Sequence, residues 1–167
     1  MEFVLCPHQG EGRINCDLTL QQDCISLVFK VESPWRVKWP DYKGLHRADE
    51  LWRSTCFELF ISRPSETAYV EINLAPGGGW NTYRFDDYRA GMRVSNDLDV
   101  TRIQGASPNF SAEIKLPGVA FPDELCLGIS AVLENIDGDL TYYALGHGAV
   151  PDFHDRTQHV LVRLNGL

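Results

Sequence analysis

The feature that most constrains this chain is a series of short segments in which apolar and polar residues alternate, each ended by a turn rich in proline or glycine. The segments include ISLVFKV, CFELFIS, YVEINLA, NTYRFD, FSAEIKL and HVLVRL, and the turns include WPDYKG, RPSE, PGGG, GASPN and NIDGD. A period of two indicates strands that bury one face, and strands at this spacing are typical of sandwiches and barrels. The sequence therefore predicts an all-β sandwich or barrel, with one short helical stretch, RADELW, that ends at Trp52.

Length and charge limit the organisation of the chain and its partners. The 167 residues contain no internal repeat, low-complexity tract or linker, so we expect a single domain over residues 1–167. The formal net charge is -8. Because phosphate binding needs clustered lysine and arginine, this acidic balance argues against a nucleic-acid partner and against an anionic membrane surface.

The N-terminus and the cysteines point to a cytoplasmic protein. MEFVLCPHQGEGR has no basic region followed by an apolar run, so we predict no signal peptide, and no apolar stretch is long enough for a membrane span. The five cysteines form no CxxC pair, and Cys56 and Cys126 lie inside apolar segments, where a free thiol behaves as a small hydrophobe. A reducing compartment is the expected location.

The hairpins formed by CFELFIS, YVEINLA and WNTYRFD can be given a register, because one face of each strand must be apolar. On the core side we predict these pairs: Phe57 with Ile72, Leu59 with Val70, Val70 with Phe85, and Ile72 with Tyr83. On the other face we predict Glu58 with Glu71, Phe60 with Tyr69, Glu71 with Arg84, and Asn73 with Thr82, with Trp80 near Asn73. The core pairs decide which side chains share the second face.

The second face of these strands is unusually polar, and two interpretations are open. It would carry Glu58, Glu71, Asn73, Trp80 and Arg84. One interpretation is a solvated sheet with a cross-strand ion pair between Glu71 and Arg84, which contributes little to stability. The other is a polyol site, in which an aromatic ring stacks on C–H groups while carboxylate, amide and guanidinium groups bind hydroxyls.

Other motifs give weaker signals. The PGGGW turn joins two strands and lacks the GK[ST] ending of a phosphate loop, so we interpret it as a hairpin loop. The segment from His147 to His159 is rich in histidine and aspartate, but its spacing matches no common zinc pattern, and we predict neither a metal nor a cofactor. His147 should follow the strand Leu140–Leu145 at the rim of the sheet, where it could contact a ligand.

Several blocks resemble a known family. LWRSTCFELFI, YVEINLAPGGGWNTYRFDDYRAGM, AVLE, YYALGH and PDFH, in this order between Leu51 and His154, are similar to the DOMON-like proteins related to family 9 carbohydrate-binding modules. The resemblance implies an antiparallel β-sandwich of jelly-roll type with a ligand cleft on one concave face. In sugar-binding relatives, tryptophans clamp a terminal sugar and polar side chains bind its hydroxyls. The matching positions here are Glu58, Glu71, Asn73, Trp80 and Arg84, with Trp52 as the candidate second aromatic.

Four functions from different classes follow from these features. The first is a non-catalytic module that binds a carbohydrate or a related polyol. The second is a glycoside-acting enzyme that uses Glu58 and Glu71, because retaining glycosidases place two carboxyl groups close together. The third is a haem or redox-ligand binder, since some DOMON relatives hold haem through methionine and histidine, and Met92 and His147 are the available types. The fourth is a protein interaction domain without a small ligand.

Overall fold

The computed structural model describes residues 1–21, 23–116 and 122–164, and this part of the chain is almost entirely β-strand. It contains no α-helix, only two single-turn 3₁₀ helices, Leu51–Arg53 and Arg156–Gln158. The strands in chain order are β1 (Glu2–Pro7), β2 (Arg13–Gln21), β3 (Cys24–Glu32), β4 (His46–Arg47), β5 (Cys56–Ser62), β6 (Tyr69–Leu74), β7 (Gly79–Phe85), β8 (Arg93–Val94), β9 (Asp99–Ala106), β10 (Asn109–Lys115), β11 (Glu124–Glu134), β12 (Leu140–Ala144) and β13 (Val160–Arg163). The all-β prediction is confirmed.

The strands form one continuous curled sheet in the order β4-β7-β6-β5-β11-β12-β1-β2-β3-β10-β9, with β8 beside β7 and β13 beside β11. All pairs are antiparallel except β4 with β7, so the sheet is mixed. The sheet has two halves: one runs from β4 to β12 in this order, and the other runs from β2 to β9. Strand β1 joins them, because Glu2–Leu5 pairs with β2 while Cys6 and Pro7 pair with β12. The jelly-roll connectivity stays a prediction.

The main core lies between the two halves of this sheet. Its aromatic centre is Phe57 of β5, which stacks on Phe110 of β10 with ring centroids 4.3 Å apart and planes 8° apart. Phe29 of β3 packs against both rings. Since all three side chains are fully buried, the core is close-packed across the strands that the period-two pattern predicted to bury one face.

The register of β5 against β6 differs from the prediction by two residues. Phe57 pairs with Leu74 and Leu59 with Ile72, so Glu58 lies opposite Asn73 rather than opposite Glu71. A shift of two leaves every side chain on its predicted face. Glu58 and Glu71 therefore share one face as diagonal neighbours across the pair.

The register of β7 against β6 differs by one residue, and this reverses the faces of β7. Ile72 pairs with Thr82 and Glu71 with Tyr83, whereas the prediction paired them with Tyr83 and Arg84. Trp80 and Arg84 thus lie on the side of the main core, and Trp80 is a buried member of it. The predicted placement of Trp80 and Arg84 on the face of Glu58 and Glu71 is wrong for this reason.

The PGGGW segment is a tight hairpin connection between β6 and β7, as the sequence indicated. Gly78 has φ +94 and donates its backbone N–H to the carbonyl of Ala75, and Ala75 donates to the carbonyl of Gly79. A Cβ at Gly78 would lie within 2.9 Å of the Gly44 and Tyr42 atoms packed over the turn, so glycine is needed there for both conformation and space.

Within the described ranges, no helix is long and apolar enough to cross a membrane.

Candidate functional site

A cleft of about 350 Å³ opens on the face of the sheet opposite the main core. Its floor comes from five neighbouring strands, β7, β6, β5, β11 and β12, and carries Glu58, Glu71, Phe85, Val132 and Tyr142. Its rim comes from the 3₁₀ helix at Leu51–Arg53 and from the loops after β7 and β12, which supply Trp52, Arg89, Met92, Pro151, Phe153 and His154. The volume falls within the range of small-molecule sites.

Two buried carboxyl groups occupy the floor. Glu58 is 2% exposed and Glu71 is 4% exposed. Ser130 donates its hydroxyl to Oε2 of Glu58 at 2.9 Å, and Asn73 donates its amide to Oε1 of Glu71 at 2.7 Å. The described part of the chain provides no hydrogen bond to the second oxygen of either carboxyl, so one acceptor of each remains for a ligand in the cleft that both residues line.

Burial makes ionisation of this pair costly. It raises the pKa of Glu58, and the neighbouring charge of Glu71 raises it further. Burial also raises the pKa of Glu71, while the hydrogen bond from Asn73 and the charge of Arg89 act in the opposite direction. Two carboxyls that resist ionisation in one cleft are typical of a ligand or reaction site rather than a solvated sheet face.

Aromatic side chains form a second apolar cluster around the carboxyls. Phe60, Tyr69, Tyr83 and Phe85 are buried together on this face, and Trp52 and Phe153 pack against them. Tyr69 and Phe85 stack with centroids 4.7 Å apart and planes 6° apart. The cluster therefore places aromatic rings beside both acids, which is the combination that a polyol site requires.

Polar contacts hold the rim loops on the sheet. His154 lies with Nδ1 2.7 Å from the hydroxyl of Tyr69 and Nε2 3.8 Å from Oε2 of Glu71. Arg89 donates to Asp152 at 2.7 Å, and its backbone N–H donates to the hydroxyl of Tyr69. Burial lowers the pKa of His154 to about 4, so the ring is neutral at neutral pH and its approach to Glu71 is not an ion pair there.

The structure brings three of the predicted site residues into the cleft. Trp52, Glu58 and Glu71 line it. Asn73 lies directly behind, fully buried, and holds Glu71 in place through the hydrogen bond described above. Asn73 therefore affects the cleft only through Glu71.

The other predicted residues lie elsewhere. Trp80 is in the main core, with the guanidinium of Arg47 stacked 4.2 Å from its ring centroid. Arg84 lies in a groove on the opposite face of the sheet, beside Val70. His147 approaches the backbone carbonyl of Cys6 at 2.8 Å, outside the set of cleft-lining residues.

The sequence interpretation missed Arg89, His154, Tyr142 and Phe153. Phe153 and His154 lie in the segment from His147 to His159, which the sequence marks only as rich in histidine and aspartate, and Tyr142 and Arg89 lie in blocks that carry the family resemblance. Nothing in their periodicity links these segments to β5 and β6. The signal that was present is the density of aromatic and titratable residues in two loops, which is more common in binding loops than in plain connections.

No group of three or more metal-ligating side chains is assembled among residues 1–21, 23–116 and 122–164. Met92 lines the cleft whereas His147 does not, so the pair suggested for haem is not brought together. The cysteines, all in described segments, are free thiols.

The sequence matches no protein-family model and no curated protein. Solved structures do share the fold. A "putative carbohydrate-binding protein" from Bacteroides uniformis aligns with a TM-score of 0.65 at 11% identity, over 98% of this chain and 85% of the other.

A family 9 carbohydrate-binding module from Caldicellulosiruptor kristjanssonii, solved with cellotriose, aligns with a TM-score of 0.59 at 7% identity, over 100% of this chain and 83% of the other. A structure of such a module from the same organism, solved with glucose, aligns with a TM-score of 0.55 at 8% identity, over 95% of this chain and 80% of the other. The chain therefore has the fold of these carbohydrate-binding proteins.

Proposed function

We propose that this protein is a non-catalytic binding module for a carbohydrate or a related polyol, held in the cleft above Glu58 and Glu71. The observation that carries the proposal is a pair of buried carboxyls, each with one oxygen left without a protein hydrogen bond, on the floor of a cleft with aromatic walls. Neither open oxygen is fully buried, so a ligand with hydroxyl donors in the cleft can reach both of them.

The arrangement suits a sugar ring. Sugar hydroxyls can donate to the open oxygens of Glu58 and Glu71, which Ser130 and Asn73 hold in fixed positions. The ring of Trp52, half-buried at the rim and edge-on to Tyr83 with centroids 6.0 Å apart, can cover the apolar face of the sugar. Fold neighbours with cellotriose and glucose support the same ligand class. We also propose that the strands have jelly-roll connectivity and that the protein is related to the DOMON-like proteins.

Removing the rim ring should weaken binding without unfolding the protein. We expect Trp52→Ala to reduce sugar affinity about tenfold, or about 1.4 kcal/mol, because a sugar loses its stacking surface. Calorimetric titration with glucose, cellobiose and cellotriose measures this. Glu71→Gln, which keeps the acceptor for Asn73 but loses the carboxylate, should weaken binding similarly.

The matched control is Glu113→Gln, an exposed acid on β10 that pairs with Arg102 at 3.2 Å, far from this face. It should leave affinity unchanged. Binding that is insensitive to both Trp52→Ala and Glu71→Gln would contradict the cleft as the site.

One observation favours hydrolysis as a second candidate function. The pKa values of both acids in the cleft are raised, and a general acid that is still protonated at neutral pH is what glycoside cleavage requires. Release of nitrophenol from nitrophenyl glycosides by the purified protein, abolished in Glu58→Gln, would establish it. Sugar binding without turnover would exclude it for the glycosides tried.

A further inference from the structure

When both acids of the cleft are ionised, the protein does not balance their charge. The floor of the cleft carries two acids, and the formal cation among the described lining residues is Arg89. Arg89 already donates to Asp152 at 2.7 Å, so its charge is largely matched by another carboxylate. His154 is neutral at neutral pH, since burial and the charge of Arg89 lower its pKa. Glu58 and Glu71 are thus left with an excess of negative charge whenever both ionise.

The two acids are also too close and too buried to ionise together at low cost. They are diagonal neighbours on adjacent strands, and water is largely excluded from both. Hydroxyl donors from a neutral sugar satisfy the open oxygens but do not cancel charge. A cation between the acids does both, because an ammonium group has three donors and a full positive charge.

The walls of the cleft favour a cation as well. Phe85 and Tyr142 lie on the floor with the acids, and Trp52 and Phe153 lie on the rim above them. A cation near the face of an aromatic ring is attracted by the ring quadrupole, and the attraction is larger where water is excluded. An amine would therefore meet carboxylates below and aromatic rings at the sides.

We propose that this cleft recognises an ammonium group, and that its ligand is an amino sugar whose free amine lies between Glu58 and Glu71. The inference rests on the proposed function, which supplies the sugar ring, and adds the charged substituent. The open oxygens of both acids bind the ammonium, and Trp52 covers the ring.

Calorimetric titrations in the presence of a chelator test the inference. The probes are glucosamine, galactosamine and mannosamine, each compared with its parent hexose and with its N-acetyl derivative, in which the amine is neutral. Cyclohexylamine tests an ammonium without sugar hydroxyls. We expect at least one amino sugar to bind about tenfold more tightly than its parent hexose and its N-acetyl form. Glu58→Gln and Glu71→Gln, both isosteric, should each remove that preference, and Glu113→Gln should preserve it.

The outcomes separate the two proposals. Equal affinity for amino sugar and parent hexose, with loss in Trp52→Ala, overturns the ammonium inference and leaves the sugar-binding function standing. If cyclohexylamine binds as tightly as every amino sugar, the result supports recognition of the ammonium group and contradicts an amino sugar as the ligand. A preference for amino sugars that survives both glutamine substitutions, or no binding of any probe, overturns the inference.

Discussion

Trp80→Ala should lower the free energy of unfolding by about 3–5 kcal/mol, the range for removing a large aromatic side chain from a core. Trp80 is 6% exposed and belongs to the main core between the two halves of the sheet. Its ring also carries the guanidinium of Arg47, so the substitution removes a cation–π contact in addition to the packing. Urea denaturation followed by circular dichroism measures the change.

The same variant separates a core role from a ligand role. Because Trp80 lies on the opposite face of β7 from Tyr83 and Phe85, the protein that remains folded should bind sugar with unchanged affinity. Trp52→Ala should show the reverse, with weakened binding and little loss of stability. If Trp80→Ala abolished binding at temperatures where the protein stays folded, the face assigned to Trp80 would be wrong.

The position of Trp80 shows what the alternation of apolar and polar residues can and cannot predict. In β5 and β6 one set of positions is plainly more apolar, and the predicted faces of Phe57, Leu59 and Ile72 are those observed. In β7 both faces are buried and each mixes apolar with polar residues, since Trp80 packs in one cluster and Tyr83 packs in another. A strand that is buried on both faces gives no period-two signal from which its faces can be assigned.

The sequence was enough to predict that the two acids share a face, but not which residues surround them. Glu58 and Glu71 lie at positions of the same parity in strands whose core residues are clear, so a register error of two residues left the conclusion intact. Arg89, His154 and Phe153 reach the cleft from loops distant in sequence. Such contacts depend on how the loops fold over the sheet, which strand patterns do not report.

Glu58→Gln should stabilise the protein at neutral and alkaline pH, by about 1–3 kcal/mol. The folded-state pKa of Glu58 is raised above its ordinary value of 4.5 by burial and by Glu71, so the folded protein holds this proton more tightly than the unfolded chain. Stability from the group is fully present below the ordinary value and is lost as the pH rises through the raised pKa. Glutamine stays neutral, can accept from Ser130 and can donate to Glu71.

Denaturant unfolding at about pH 5 and about pH 9 measures this effect, and the gain from Glu58→Gln should be larger at the higher pH. Glu113→Gln is the control, since it removes only an exposed pair with Arg102 and should change stability by less than about 1 kcal/mol. A variant that is more stable yet binds its ligand less well would show that the buried acids are retained for binding at the expense of stability. A loss of stability in Glu58→Gln at the higher pH would contradict the unbalanced charge on which the ammonium inference depends.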